Sequence, residues 1–220
     1  MSSRARFIFD ADGVLLDSLS LACKHFNKIA DEQFPVLPKV ACQEDMAHVY
    51  PGPLKSSLKR FGLTKEHVKS FFDLHTAAML AGASEVAPFD EVLAGIRTHA
   101  FGRCAIVSSA FSETVQAALN RSCEYAPGMF THIRGREPGK DKADKIKEVL
   151  HDWQCDTNDA IYIGDMVSDI LYCRAVPIRV AAVGYGYHPS SYLSAFDPDY
   201  LLPDAQSLVA FLGERAQPRV

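Results

Sequence analysis

The sequence predicts an α/β fold in which a doubly wound parallel sheet is interrupted by an all-helical insert. Beyond Pro88, apolar runs typical of buried strands alternate with amphipathic runs typical of helices, an order that favours a parallel sheet. Between Asp17 and about Val86 no strand pattern occurs, and this stretch follows soon after the apolar strand Phe7–Phe9. The helical insert is therefore expected between the first and second strands of the sheet.

The first strand contains two aromatic residues and one β-branched residue, and the insert that follows is expected to be a set of helices. Asp17 and Ser18 are expected to cap a helix that carries apolar residues at helical spacing as far as Ile29. Prolines between positions 35 and 53 divide the next stretch into short helices, and a longer helix is expected from Thr64.

The rest of the chain is expected to form five further helices and five further strands. The expected helices cover 88–98, 111–119, 142–153, 167–174 and 204–212, and the expected strands cover 103–107, 130–133, 160–163, 178–183 and, briefly, 200–202.

The composition argues against several classes of protein. The net charge of the 220 residues is −4, and no run of lysine or arginine forms the basic stripe typical of nucleic-acid binding. No apolar run approaches the roughly 18–20 residues of a membrane span, and the N-terminus has no signal-peptide pattern. The six cysteines are scattered, as in reduced intracellular proteins. We therefore expect a cytoplasmic protein that binds neither nucleic acid nor membrane, and the sequence leaves its oligomeric state open.

Carboxylates follow two of the predicted strands. Asp10 and Asp12 come directly after the first strand, and Gly13 lets the backbone turn sharply and approach a ligand. Asp165 follows a later strand, and Asp169 comes four residues after it. In a parallel sheet these acids would meet at one edge and repel one another, which a divalent cation relieves. Carboxylate ligands without histidine or cysteine favour Mg²⁺ over Zn²⁺, so we expect Asp10, Asp12, Asp165 and Asp169 to form a magnesium site.

Between these acids in the sequence, one predicted strand ends in hydroxyl groups and one predicted helix begins with ammonium groups. Ser108 and Ser109 end a buried strand, and Lys140 and Lys142 lie at the start of the amphipathic helix. Either serine also fits an ordinary helix N-cap. Lys145 and Lys147, further along the same helix, are expected on its solvated face.

In this order, the carboxylate, hydroxyl, ammonium and carboxylate motifs resemble those of the haloacid dehalogenase superfamily of phosphotransferases and hydrolases. The resemblance extends over nearly the whole chain. It implies a Rossmann-like catalytic core of residues 1–16 and 87–220 and a helical cap of residues 17–86, as in phosphoglycolate phosphatases and β-phosphoglucomutases.

The two acids of the first motif have separate expected roles. Asp10 stands first at the strand end and is assigned as the nucleophile that forms an aspartyl phosphate. Asp12 would protonate the leaving oxygen and then activate water, unless it merely caps the turn. In the family pattern its backbone carbonyl is also a metal ligand. Asp169 either binds the metal itself or orients Asp165, and the remaining alternative is an acid that complements the helix dipole.

The other motifs are expected to hold the phosphoryl group. Ser108 would donate a hydrogen bond to a phosphoryl oxygen, and Ser109, where many relatives have asparagine, would provide a less certain second contact. Lys142 is the preferred motif lysine because it puts the apolar positions of its helix in the register expected from family members. Lys140 follows a glycine, as in other members, and remains the alternative contact.

The expected activity is magnesium-dependent hydrolysis of a small-molecule phosphomonoester. Members that cleave carbon–halogen or carbon–phosphorus bonds lack an acid two residues after the nucleophile, so Asp12 argues against both activities. A phosphomutase that returns the phosphate of Asp10 to a sugar is the alternative, and a relic binding protein is a weaker one. The insert carries no readable ligand signature, so the sequence does not identify the substrate.

Overall fold

The computed structural model describes residues 5–216 and, within them, a six-stranded parallel sheet and a separate two-stranded ribbon. The strands are β1 (Arg6–Phe9), β2 (Leu16–Asp17), β3 (Ala87–Pro88), β4 (Cys104–Val107), β5 (Phe130–Arg134), β6 (Ala160–Gly164), β7 (Arg179–Val183) and β8 (Tyr200–Leu202). The helices are α1 (Leu19–Gln33), α2 (Gln43–Val49), α3 (Leu54–Lys59), α4 (Lys65–Ala81), α5 (Asp90–His99), α6 (Ser112–Leu119), α7 (Lys142–Asp152), α8 (Val167–Ala175), α9 (Ser190–Leu193) and α10 (Ala205–Ala216).

The order of the large sheet is β5-β4-β1-β6-β7-β8, and every neighbouring pair is parallel. The chain therefore builds outward from β1 on one side and then on the other, which is a doubly wound order and confirms the predicted fold class. Phe7 of β1 lies beside Cys104 of β4 and Ile161 of β6. Because these three strands are parallel neighbours, their carboxyl ends meet at one edge of the sheet.

Hydrophobic clusters cover both faces of the sheet. Side chains alternate along a strand, so Phe7 and Phe9 of β1 pack on one face and Ile8 packs on the other. Helices α5, α6 and α10 cover the first face, and helices α7 and α8 cover the second. The result is a three-layer arrangement with β1 at its centre.

The helical segment, defined here as α1 to α4 (residues 19–81), has a hydrophobic cluster of its own. Its interior is aromatic: Phe71 is fully buried, and its ring centroid lies 5.2 Å from that of Phe26 and 5.8 Å from that of Phe34. An antiparallel ribbon joins this segment to the sheet, with Leu16 of β2 opposite Pro88 of β3. None of the helices within residues 5–216 combines the length and apolarity needed to cross a bilayer.

The start of α1 differs from the prediction. Ser18 occupies the N-cap position, but its hydroxyl makes no bond to the helix and lies 2.9 Å from the hydroxyl of Tyr187. Asp17 is exposed and pairs with Ala87 in the ribbon. The predicted side-chain cap is therefore wrong, because a partner distant in the sequence takes the Ser18 hydroxyl. At the other end of the chain, α10 extends to residue 216 and not only to 212.

Candidate active site

The carboxyl ends of the central strands bring three acidic side chains together. Asp10 follows β1, Asp165 follows β6, and Asp169 lies in the first turn of α8. All three are buried, and one carboxylate oxygen from each lies within 4.8 Å of the others. Within residues 5–216 this carboxylate group consists of these three residues and does not include the side chain of Asp12.

Backbone amides fix two of these carboxylates. Asp169 Oδ2 accepts hydrogen bonds from the amides of Asp165 and Met166 at 3.2 and 3.0 Å. Asp10 Oδ1 accepts from the amide of Ala11 at 2.7 Å. The second oxygen of each side chain is consequently directed toward the centre of the site.

A single ammonium group lies between two of the acids. Lys142 is the first residue of α7 and is buried, and its Nζ donates to Asp10 Oδ2 and, at 2.6 Å, to Asp169 Oδ1. Burial lowers the pKa of Lys142, but the charges of Asp10 and Asp169 outweigh this effect and raise its pKa well above the ordinary value. Lys142 is therefore a fixed cation in the structure.

Lys140 lies elsewhere. Its side chain is 40% exposed, and its Nζ pairs with Glu137 at 2.9 Å and Glu148 at 2.6 Å. Of the two lysines that the sequence left in competition, the structure therefore brings Lys142 to Asp10. The roles of both lysines in phosphate binding stay predictions.

The carboxylates are short of positive charge. Burial raises the pKa of Asp10 to about 7, against the opposing effect of Lys142, and the nearby Asp169 raises it further. Burial and the charges of Asp169 and Asp10 also raise the pKa of Asp165 well above its ordinary value. One lysine thus leaves an excess of negative charge, which a bound cation would compensate.

The oxygens of Asp165 fit a metal site. Its Oδ2 accepts a hydrogen bond from the backbone amide of Tyr187 at 2.7 Å. Its Oδ1 is buried and has no hydrogen-bond partner among the described residues. An unpartnered buried carboxylate oxygen is costly, so this atom is suited to a cation. Asp10, Asp165 and Asp169 could therefore hold a metal ion through oxygen ligands.

Gly13 allows the first loop to approach Asp165. Its φ is +75°, and a Cβ at this position would lie 2.0 Å from Asp165 Oδ2. Asp12, next to it, is half-buried, and the loss of solvent raises its pKa, while Ser18 and Lys142 act in the opposite direction. A raised pKa suits a residue that must carry a proton at neutral pH. The contact of Gly13 with substrate, the proton transfer by Asp12 and its carbonyl bond to the metal stay predictions.

The two serines after β4 have different environments. Ser108 is buried, and its Oγ accepts a hydrogen bond from the amide of Ala110 at 3.0 Å, which leaves its hydroxyl proton to donate. Ser109 is exposed. Neither serine is the N-cap of α6, since Phe111 occupies that position. The phosphoryl contacts of Ser108 and Ser109 stay predictions.

Lys145 corrects an expectation. The sequence predicted a solvated side chain, but Lys145 is 2% exposed, and its Nζ donates to the carbonyl of Ser108 and, at 2.8 Å, to that of Gly135. Burial, with the charge of Lys142, lowers the pKa of Lys145 to about 8. A signal for this was present, because residues three apart on a helix share a face and Lys142 faces the site. Lys147 is exposed, as expected.

The loop after β7 was missed by the sequence analysis. The amide of Tyr187 binds Asp165 Oδ2, the amide of His188 donates to the Asp165 carbonyl at 3.3 Å, and His188 Nδ1 accepts from the amide of Val167 at 3.2 Å. Backbone donors have no sequence signature, and the glycines at 184 and 186 were the available sign of a close approach.

Residues 7–183 match the family model described as haloacid dehalogenase-like hydrolase. The chain belongs to this family. The pyrophosphatase PpaX of Halalkalibacterium halodurans is 25% identical over 214 residues, which cover 96% of this chain and 97% of that protein.

Solved structures of the haloacid dehalogenase-like family share the fold. A hydrolase of this family from Streptococcus pneumoniae superimposes with a TM-score of 0.73 at 24% identity, covering 96% of this chain and 99% of the other. A structure from Haemophilus somnus, described as a predicted phosphoglycolate phosphatase, gives a TM-score of 0.69 at 17% identity, with 96% and 98% covered.

Replacement of the two competing lysines should separate their roles. We expect Lys142→Ala to lower kcat/KM for phosphate-ester hydrolysis by about 10²–10³-fold, the usual effect of removing one charge-stabilising donor. Lys140→Ala removes only a solvated ion pair and should stay within about threefold of the wild type, because such pairs contribute little. Both variants would be assayed side by side after their melting temperatures confirm folding. The opposite order of losses would move the role to Lys140.

Replacement of Lys145 should cost stability. In Lys145→Met the carbonyls of Ser108 and Gly135 lose a buried donor, and we expect the free energy of unfolding to fall by about 1–3 kcal/mol. The control is Lys147→Met on the exposed face of the same helix, which should change it by no more than about 0.5 kcal/mol. Chemical denaturation monitored by circular dichroism measures the free energy of unfolding of both variants. Equal effects would show that Lys145 does not brace these loops.

Proposed function

We propose that this hydrolase is a Mg²⁺-dependent phosphatase that cleaves a small-molecule phosphomonoester through an aspartyl phosphate on Asp10. The observation that carries the proposal is the contact of Lys142 with both Asp10 and Asp169 beside the unpartnered oxygen of Asp165. This arrangement holds a carboxylate nucleophile next to fixed positive charge, which the transfer of an anionic phosphoryl group requires.

The first step uses Asp10 as nucleophile. Its Oδ1 is held by the Ala11 amide and its Oδ2 by Lys142, so the carboxylate is oriented before substrate arrives. A carboxylate oxygen of Asp10 attacks phosphorus, and the bond from phosphorus to the ester oxygen breaks. Asp12 gives its proton to the departing oxygen, which leaves as an alcohol.

The second step releases phosphate. Asp12, now ionised, takes a proton from a water molecule, whose oxygen attacks phosphorus and breaks the bond to Asp10. The ammonium of Lys142 has three N–H donors and uses two of them on carboxylates, so one remains for a phosphoryl oxygen. The hydroxyl of Ser108 donates to another phosphoryl oxygen.

Mg²⁺ is the proposed cation because the candidate ligands are carboxylate oxygens, which suit hard cations. When bound by Asp10, Asp165 and Asp169 it would add positive charge beside the phosphoryl oxygens. The backbone carbonyl of Asp12 is the proposed fourth protein ligand.

The helical segment is proposed to act as a cap over this site. We propose residues 17–86 as the cap and residues 1–16 and 87–220 as the core, of which residues 1–4 and 217–220 lie outside the described part of the chain. The support is the separate hydrophobic cluster of the helical segment, against which Met166 and Tyr187 of the sheet loops pack. A cap that covers the site would exclude water and favour small soluble substrates over phosphoproteins.

Inorganic pyrophosphate is a second candidate substrate. The name of the PpaX relative and its match over nearly the whole of both chains favour it. The chemistry at Asp10 would be the same, with phosphate as the leaving group. Phosphate leaves more easily than an alkoxide, so pyrophosphate hydrolysis would depend less on the proton of Asp12.

The test is a substrate panel with and without metal. We expect phosphate release from small phosphomonoesters in the presence of Mg²⁺, a loss of turnover after exhaustive chelation, and recovery on addition of Mg²⁺. Asp10→Asn keeps the shape of the side chain but removes the nucleophile, and it should abolish turnover. Residual activity within tenfold of the wild type, about 1.4 kcal/mol in the barrier, would exclude Asp10 as nucleophile.

The same panel separates the alternatives. Pyrophosphate as the preferred substrate by kcat/KM would assign the activity to the second candidate. Interconversion of sugar phosphates without phosphate release would indicate a phosphomutase. Turnover unchanged by chelation would contradict the proposed dependence on a metal ion.

A further inference from the structure

The loop of residues 184–188, which follows β7, lies between the helical segment and the candidate metal site. On the side of the helical segment, Gln43 Nε2 donates to the carbonyls of Gly184 at 3.0 Å and Gly186 at 2.7 Å. On the other side, the amide of Tyr187 donates to Asp165 Oδ2 at 2.7 Å. The residue that orients Asp165 therefore directly follows a residue held by Gln43.

This loop is in tight contact with the site. A Cβ on Gly186 would lie 2.4 Å from Asp165 Oδ2 and 2.5 Å from the carbonyl oxygen of Gly13. Because Gly186 packs directly against the carboxylate, a shift of the loop would displace the side chain of Asp165. The amide of His188 adds a bond to the Asp165 carbonyl at 3.3 Å.

A second contact ties the same loop to the start of the helical segment. The hydroxyl of Tyr187 lies 2.9 Å from that of Ser18, which directly precedes α1, and the Tyr187 ring packs against the hydrophobic cluster of the helices. The loop is thus held at Gln43 and Ser18, while its backbone fixes Asp165.

We infer that Gln43 is a positioning residue that couples the docking of the helical segment to the orientation of Asp165. With Gln43 in place, Tyr187 holds Asp165 Oδ2 and leaves Oδ1 for the cation. Without it, the loop and the carboxylate lose this restraint and the cation binds less tightly. This inference rests on the proposed function, because it requires a divalent cation at Asp165.

Coupling of this kind is reciprocal. If a docked helical segment tightens cation binding, a bound cation must favour the docked segment by the same factor. Gln43 would then be the contact that couples cation binding at the metal site to docking of the proposed cap.

The decisive experiment is Mg²⁺ binding to the full chain, measured by isothermal titration calorimetry. Gln43→Glu keeps the shape but places a carboxylate against two carbonyl oxygens, and we expect its Mg²⁺ affinity to fall about tenfold or more, within the usual range of such couplings. Gln43→Ala removes the two bonds without repulsion and should lose less. Glu44→Gln, an exposed change on the same helix, is the matched control and should bind like the wild type.

Two further readouts distinguish positioning from a general loss of structure. The melting temperature without metal should stay close to that of the wild type, and hydrogen exchange at the amides of Tyr187 and His188 should be faster in Gln43→Glu. Raising the Mg²⁺ concentration should restore turnover in this variant. If Gln43→Glu fails to fold, Gln43→Ala decides by the same measurements.

The outcomes separate this inference from the proposed function. Wild-type binding of Mg²⁺ together with equal affinity in a folded Gln43 variant would overturn the role of Gln43 and leave the proposed function standing. Absence of Mg²⁺ binding by the wild type would overturn both.

Discussion

The repulsion among three buried carboxylates, only partly balanced by the ammonium of Lys142, is the constraint on which the rest of this site depends. At an effective dielectric constant of 20, two unit charges about 4 Å apart interact by roughly 4 kcal/mol. One carboxylate oxygen from each of Asp10, Asp165 and Asp169 lies within 4.8 Å of the others. The protein keeps this charge in place through its sheet topology, which makes the ends of β1 and β6 neighbours, and through backbone amides that hold individual oxygens.

The surrounding structure serves the same arrangement. Helix α7 begins at Lys142, with a capping box at Asp141 and Asp144 that fixes its first turn, so the ammonium enters the site from a rigid base. Gly13 and Gly186 have no Cβ, and a side chain at either position would displace Asp165. Lys145 joins the loops after β4 and β5, because its Nζ donates to the carbonyls of Ser108 and Gly135. Such prior orientation is what makes electrostatic stabilisation effective in a reaction that moves negative charge.

Much of this could be predicted from the sequence because it follows from local patterns. Apolar runs ending in acids indicated β1 and β6 and the acids after them, and the register of the α7 helix indicated Lys142 over Lys140. What was missed depends on contacts between distant parts of the chain. The spacing of Lys145 from Lys142 was a sign of its burial, but the two carbonyls that it binds lie on the loops after β4 and β5. The contacts of the Tyr187 amide and of the Gln43 side chain form only once the loop after β7 is in place. The Ser18 hydroxyl similarly found a partner 169 positions away and not in its own helix.

The most direct test of this account is the pH dependence of stability without metal, in wild type and Asp10→Asn. Because burial raises the pKa of Asp10 to about 7, the folded state binds this proton more tightly than the unfolded state. The stabilisation that comes from this proton on Asp10 is complete below about pH 4 and is lost as the pH rises through about 7.

We therefore predict that the free energy of unfolding of the wild type, relative to Asp10→Asn, falls between pH 5 and pH 7.5 in chelator and no longer falls in saturating Mg²⁺. Comparison with the variant cancels the opposite contributions of His75 and His188, whose pKa values burial lowers to about 4. A difference that is independent of pH, or unaffected by Mg²⁺, would contradict the claim that a carboxylate cluster short of positive charge organises this site.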